Sequence, residues 1–404
     1  MIKRKAKPAD EPRKAPQQED LYAVRRKKRR RRHLRRAIIF VCVAALLILL
    51  YQRREDWIPK LEEINLSHQA VQQNDGTLSE GNFPLSIYGG ASYQTAALDN
   101  VLLILSDTYL YLYQTDGSLL SRRQHAYGNA MLQCQGSYAL VYESGGTHFR
   151  LEGSSKTYFE KNVSDPIVFA RVSDAGYTAV VTGSDTSACK LIVYNKKGKQ
   201  IYMRNCVEKL TEVSFRADHE GCYGVTIHAE GGSVKSVVHN YDFAKKEENW
   251  ASQPLDMLCI SVYNTNGDNV FVMGDTCCAY LSFSGATLGT YVYPDALVCG
   301  DSADGAAAVV LRNEEKRENS LVLLNGTTES PKILNFEGEI KCVDMDKGGN
   351  YVTVQMRDQV QTFGCTGGKV RSAAISDTYD KFVAIGDYLF MMGYDRIDRL
   401  DYTD

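Results

Sequence analysis

The side chains able to do chemistry are few in type and scattered in position. Eleven cysteines are present, Cys42 and ten more from Cys134 onward. Ten cysteines in an exported domain could make five disulfides, yet their spacing shows no framework. Cys189, Cys222, Cys259, Cys299 and Cys342 fall inside runs of β-type residues, where cysteine acts as a small hydrophobe. The expected role is that of structural thiols. Cys277-Cys278 is not a CxxC pair and offers no metal site. His125, His148, His219, His228 and His239 stand apart, without HxH, HExxH or mixed His/Cys ligand spacing. No metal is expected.

The motifs of known catalysts are missing as well. There is no GxSxG elbow, no phosphate-binding P-loop and no Rossmann glycine pattern. Val172–Thr178, VSDAGYT, resembles one aspartate box of a sialidase without its tryptophan, and a turn between strands accounts for it better. Sequons at Asn65, Asn162 and Asn325 matter only in a eukaryotic secretory host. No catalytic residue and no cofactor is expected, which leaves recognition. His125, Tyr127 and Asn129 sit in RRQHAYGN, and Trp250 in ENWASQP, both polar loop segments. Aromatic residues are enriched at interface hot spots, so these four form the candidate binding face. The blander reading is that each packs between structural repeats. SDTSA (184–188), HAEGGS (228–233) and RNEEKREN (312–319) are expected on the same face.

The elements that must position these residues begin with a membrane segment. Ala37, Ile38, Ile39, Phe40, Val41, then Leu46, Leu47, Ile48, Leu49, Leu50 and Tyr51 belong to a fifteen-residue stretch without charge. A helix of that length spans about 22 Å against a hydrocarbon core of about 30 Å. Flanking arginines snorkel toward the headgroups and make up the difference. A cleaved secretory signal is the rival reading, but the residues that follow, QRREDW, lack a small-x-small cleavage site. The stretch 37–52 is therefore expected to be an uncleaved signal-anchor helix.

Charge sets its orientation. Residues 1–36 carry sixteen Lys or Arg against four acids, whereas the rest of the chain has 31 basic and 45 acidic residues. Arg29, Arg30, Arg31, Arg32, Arg35 and Arg36 abut the apolar stretch and should hold the N-terminus in the cytoplasm. Their other expected partner is the anionic headgroup layer, at about 1 kcal/mol per basic residue. Nucleic acid is not expected, since the basic run lacks interleaved aromatics and a folded scaffold. Residues 1–36 read as a disordered tail, 53–82 as a juxtamembrane helix and polar linker, and 83–404 as one extracytoplasmic domain.

That domain is written in repeats. From Phe83 onward, short β-type runs alternate with Gly, Asp and Asn turns. One turn series runs through Asn100, Gly136, Gly176, Gly221, Gly267, Gly305, Gly349 and Gly386, in steps of 36 to 46 residues. A second runs through Gly117, Gly198, Gly285, Gly326 and Gly367, with later steps of 41. Two independent series sharing one period mark the four-stranded blades of a β-propeller. The fold class is thus all-β, a propeller of seven or eight blades, eight being favoured. Inner strands are expected to be continuously apolar, packed on both neighbouring blades, with outer strands alternating. The last unit has only three strands, so Phe83–Tyr88 is expected to supply its outer strand and close the ring, because closure alone removes exposed edges.

The succession of the apolar anchor, FPLSIYG, LILSDTYLYLYQTDGSLL and RRQHAYGNAMLQCQGSYALVYESGG resembles an uncharacterised family of membrane-anchored extracytoplasmic β-propeller proteins of Gram-positive, Clostridia-type bacteria. Ala130 stands where that family usually has proline. More distantly, the blades are similar to quinoprotein-like (PQQ-like) and WD40-like propellers. Quinoprotein docking depends on recurrent tryptophans, and only Trp57 and Trp250 occur here. The resemblance implies a fold and a place at the cell membrane, single-pass, with no catalytic residues to carry over. The expected function is a non-enzymatic binding or scaffold module for an envelope protein or a cell-wall glycan. The alternative is an envelope glycan-active hydrolase or lyase, its site assembled from loops of separate blades. Transmembrane sensing, with the basic tail as output, is the weakest reading.

Overall fold

Both turn series join antiparallel strands in the computed structural model, which describes residues 77–78, 82–87, 93–265 and 269–402. The tail and the anchor stretch, including the juxtamembrane helix, lie outside the described residues. Among the described residues no helix is long and apolar enough to cross a membrane. Eight antiparallel sheets follow one another along the chain. Blades 1 to 7 occupy residues 94–124, 130–162, 167–206, 209–251, 259–292, 296–336 and 340–374, each with strands a to d in sequence order from the channel outward. Blade 3 shows the plan: Ile167–Val172, Thr178–Thr182, Cys189–Tyr194 and Gln200–Cys206.

Blade 8 settles the count at eight. Lys381–Ile385, Tyr388–Met392 and Arg396–Asp401 supply strands a, b and c. Leu85–Ser86 pairs with the third of these, Leu85 opposite Ile397, so the N-terminal segment closes the ring as expected. The closing strand is shorter than Phe83–Tyr88, and it has a companion. Thr77–Leu78, inside the stretch read as linker, pairs with the other end of the same strand, Thr77 opposite Asp401. The edge of Arg396–Asp401 would otherwise present unpaired backbone groups at both ends.

The core is distributed around the ring. Among the described residues there are eight apolar clusters, one between each pair of neighbouring blades. The cluster between blades 8 and 1 draws in Phe83 and Leu85 beside Leu102, Phe390 and Ile397, so the seam is packed like any other interface. Burial within a blade differs from the sequence expectation. Strands b and c are the most buried, completely so in Val270–Gly274 and Cys277–Leu281. Strand a alternates between buried and exposed residues, as in Ile167–Val172. The middle strands have blades on both faces, whereas the innermost strand borders the central channel. Each fully buried Val or Leu there contributes about 1.5–3 kcal/mol.

Strand order fixes two faces. The a–b and c–d turns emerge on one, the b–c turns and blade-to-blade links on the other. Strand a carries an extra, bulged residue in five consecutive blades: Val168, Thr211, Ile260, Val298 and Lys341. All five lie near the start of the strand, at the b–c face. Classic bulges re-aim side chains and sharpen the local twist.

Candidate functional site

The four aromatic-loop candidates do not converge. His125 is buried in the link between blades 1 and 2, its Nε2 2.9 Å from the Ser106 carbonyl. Burial lowers the pKa of this imidazole. Tyr127 is buried in the blade 1–2 core; its hydroxyl donates to Glu160 Oε1 at 3.1 Å, and its ring stacks on His148. Asn129 is exposed in the same link. Trp250 belongs to strand d of blade 4, where its Nε1 donates to the Phe283 carbonyl at 2.7 Å in the c–d turn of blade 5. That turn lies on the opposite face. His125 and Tyr127 are therefore buried in packing, Trp250 is half-buried against the neighbouring blade, and Asn129 is exposed. The loops fare better: SDTSA, HAEGGS and RNEEKREN hold b–c connections on the expected face.

What that face does present is aliphatic. Val207, the link between blades 3 and 4, is 93% exposed, and Val168, Val234, Leu258, Ile260 and Val298 are 40% to 54% exposed. All six lie on the b–c face in consecutive blades 3 to 6. On the other face the comparably exposed residues are Phe283 in a c–d turn, Tyr351, and Leu120, Leu288, Ile333 and Val370 at the starts of outer strands, so they sit at the rim of separate blades. Three of the six are the bulged residues of strand a. The bulge turns a valine or isoleucine that the pleat would bury toward the channel mouth. Blade 4 adds a raised edge, because Gly221–Glu230 and Ser233–Asp242 extend past Lys209, the first residue of the neighbouring strand a, to a Gly231-Gly232 tip.

The channel wall below holds charge. Arg171 of blade 3 donates from Nε and Nη2 to the two carboxylate oxygens of Glu212 in blade 4, at 2.7 and 2.6 Å. Asp301 and Asp344 occupy matching positions on strand a of blades 6 and 7, each three residues beyond the bulge. Asp301 accepts from the Met345 and Ser302 amides at 2.8 Å, yet burial still lifts its pKa. Asp344 is pushed up to about 7 by burial, with the charges of Asp301 and Asp346 adding to it. Asp344 is thus partly protonated near neutral pH.

A hydroxyl–imidazole–carboxylate line crosses blade 4. Thr226 Oγ1 is 2.9 Å from His239 Nε2, and His239 Nδ1 is 2.9 Å from Glu248 Oε2. Its geometry is that of a nucleophile, a base and an orienting acid. The proton count argues otherwise. Thr226 gives its only proton to Glu208 Oε2 at 2.8 Å, so its oxygen receives the Nε2 proton of His239. Thr226 is also fully buried. The line ties the strands of blade 4 to one another and, through Glu208, to the link from blade 3, with the hydroxyl already committed as a donor. Among the described residues no group of three or more His, Cys, Asp or Glu could hold a metal ion.

Eight radial four-stranded sheets around a channel define a β-propeller. The chain belongs to the family of unknown function DUF5711, which it matches over residues 85–400. No curated protein is detectably similar in sequence. Among solved structures, the computationally designed Ika8 protein is similar at TM-score 0.60 and 12% identity, covering 79% of this chain and 98% of that one. Sqt1 of Chaetomium thermophilum, bound to the N-terminus of ribosomal protein L10, is similar at TM-score 0.57 and 12% identity, covering 79% and 98%. BamB of Moraxella catarrhalis follows at 0.52 and 12%, covering 80% and 99%. At such identities the likeness carries the fold alone.

Proposed function

We propose that the chain is a binding module which holds a protein partner on its b–c face, tethered outside the membrane by the apolar stretch 37–51 with the basic tail inside. The observation that carries the reading is the run of six exposed aliphatic side chains in consecutive blades around one channel mouth. A contiguous exposed apolar patch marks an interaction site far more often than it serves solubility. The arc sits on a rigid ring, so little ordering free energy is lost on docking. The test is a cross-linked pull-down of the full-length protein from its native membrane, followed by rebinding of the purified partner. Recovery that is lost with Val207→Asp/Ile260→Asp, at unchanged thermal midpoint, supports the reading. Equal recovery by both proteins, or no partner with either, overturns it.

One observation favours a second reading, an envelope glycan hydrolase or lyase. Asp344, whose pKa burial and the Asp301 charge raise, has the electrostatics of a general acid beside a second carboxyl. Turnover of cell-wall glycan by the wild type, abolished in Asp344→Asn, would replace the binding reading with this one.

A further inference from the structure

All ten described cysteines are free thiols, and two of them stand apart from the rest. Cys189 opens strand c of blade 3 and Cys206 closes strand d, and the two are direct partners across the antiparallel pair. No other cysteine pair shares a register position among the described residues. Residues directly opposite in antiparallel strands have Cα atoms about 4.5–5.5 Å apart. That falls within the roughly 4.4–6.8 Å range a disulfide spans. Cys189 Sγ also accepts the Leu210 amide at 3.3 Å and lies 3.5 Å from the Glu208 carbonyl.

We infer that Cys189 and Cys206 form a redox-active pair that a small peroxide converts to a disulfide. The Cys189 thiolate attacks one peroxide oxygen, the O–O bond breaks, and sulfur is oxidised to a sulfenic acid while the other oxygen leaves as water. Cys206 sulfur then displaces the sulfenic hydroxyl, which leaves as a second water with the Cys206 proton. Two thiols and one peroxide give one disulfide and two waters. Three features select Cys189 as the attacking sulfur. The Cys206 thiol donates to it, the Leu210 amide donates to it, and the Lys209 charge lies nearby; together they lower its pKa against the opposing effect of burial. Burial raises the pKa of the eight described thiols outside the pair, and in Cys206 the hydrogen bond with Cys189 raises it first. A thiol whose sulfur accepts a backbone amide, with a resolving thiol directly opposite, has the partner that peroxide-reactive sites need; both sulfurs are buried, so the oxidant must be a small peroxide.

The pair sits at the base of the exposed Val207 link. Oxidation removes the sulfhydryl that faces the Glu208 carbonyl and ties both ends of the link's parent hairpin together. The inference rests on the cysteine geometry and is independent of the binding reading.

The experiment uses the full chain, reduced, then treated with hydrogen peroxide near pH 7 and mapped by alkylation and peptide mass spectrometry. The expected product is a Cys189–Cys206 cross-linked peptide pair two hydrogens lighter, formed at least about tenfold faster than oxidation at the other nine cysteines. In Cys206→Ser the sulfenic acid at Cys189 persists and is trapped by dimedone. In Cys189→Ser neither product forms, while Cys222→Ser behaves as wild type. Oxidation spread evenly over the cysteines, or led by any other residue, overturns the inference. The wild-type map decides the matter even where a serine variant fails to fold.

Discussion

Arg171 and Glu212 face each other across the wall between blades 3 and 4 with both guanidinium–carboxylate bonds made, at 2.7 and 2.6 Å. Glu212 is nearly buried and Arg171 about a quarter exposed. Removing one partner leaves a charge that the ring interior solvates poorly. Arg171→Leu should cost about 2–4 kcal/mol, toward the lower end of a fully buried pair because solvent reaches the arginine. Urea unfolding of the single variants and of Arg171→Leu/Glu212→Leu checks this; the double variant should recover much of the loss.

The carboxyl of Asp344 predicts an unusual pH profile. Its folded pKa of about 7 lies above the ordinary value, so the folded state holds a proton that the unfolded chain has released. Its contribution is fully present below about pH 4 and is lost as pH rises toward 7. At about 1.4 kcal/mol per unit the total is on the order of a few kcal/mol. Asp344→Asn should flatten this slope and raise stability at pH 8, read from thermal midpoints across pH.

Ring closure predicts a strong effect from a residue far from any blade centre. Phe83 is buried at the seam, its ring 5.6 Å from that of Phe390 and beneath the Arg399 guanidinium. Phe83→Ala should destabilise by about 3–5 kcal/mol. Amide hydrogen exchange should show the protection lost first in Tyr388–Met392 and Arg396–Asp401, with distant blades 3 and 4 affected last.

Gly285 predicts a local effect. Its φ is +83°, and an added Cβ would come within 2.5 Å of the Trp250 ring. Gly285→Ala combines left-handed strain with a clash against a side chain fixed by its bond to the Phe283 carbonyl. A loss of about 1–3 kcal/mol is expected, with a change in tryptophan fluorescence that a remote destabilisation would not give.

The period, the turns and the closing strand were legible because they depend on local chemistry. Gly117, Gly198 and Gly367 punctuate c–d turns with positive φ, and such residues announce themselves in any β sequence. The exposed aliphatic arc, the surface proposed to bind, was not legible for the converse reason. Val168, Ile260 and Val298 are ordinary strand residues, and only a one-residue bulge exposes them. Aromatic residues in loops drew attention instead, and Tyr127 and Trp250 proved to be the mortar between blades. The acid pair was hidden too, because Asp301 and Asp344 become neighbours only when blades 6 and 7 stack.

The seam also sets an order of events during synthesis. Thr77–Leu78 and Leu85–Ser86 leave the ribosome before the strands of blades 1 to 7, whereas their partner Arg396–Asp401 comes after them. Blades 1 to 7 can stack as they emerge, but the growing arc keeps two open flanks until translation has passed residue 401. A chain interrupted earlier would hold a stack of finished blades with an unsatisfied edge at each end. Such a product is a natural substrate for chaperones and proteases, which makes the seam a built-in test of whether the ring was completed.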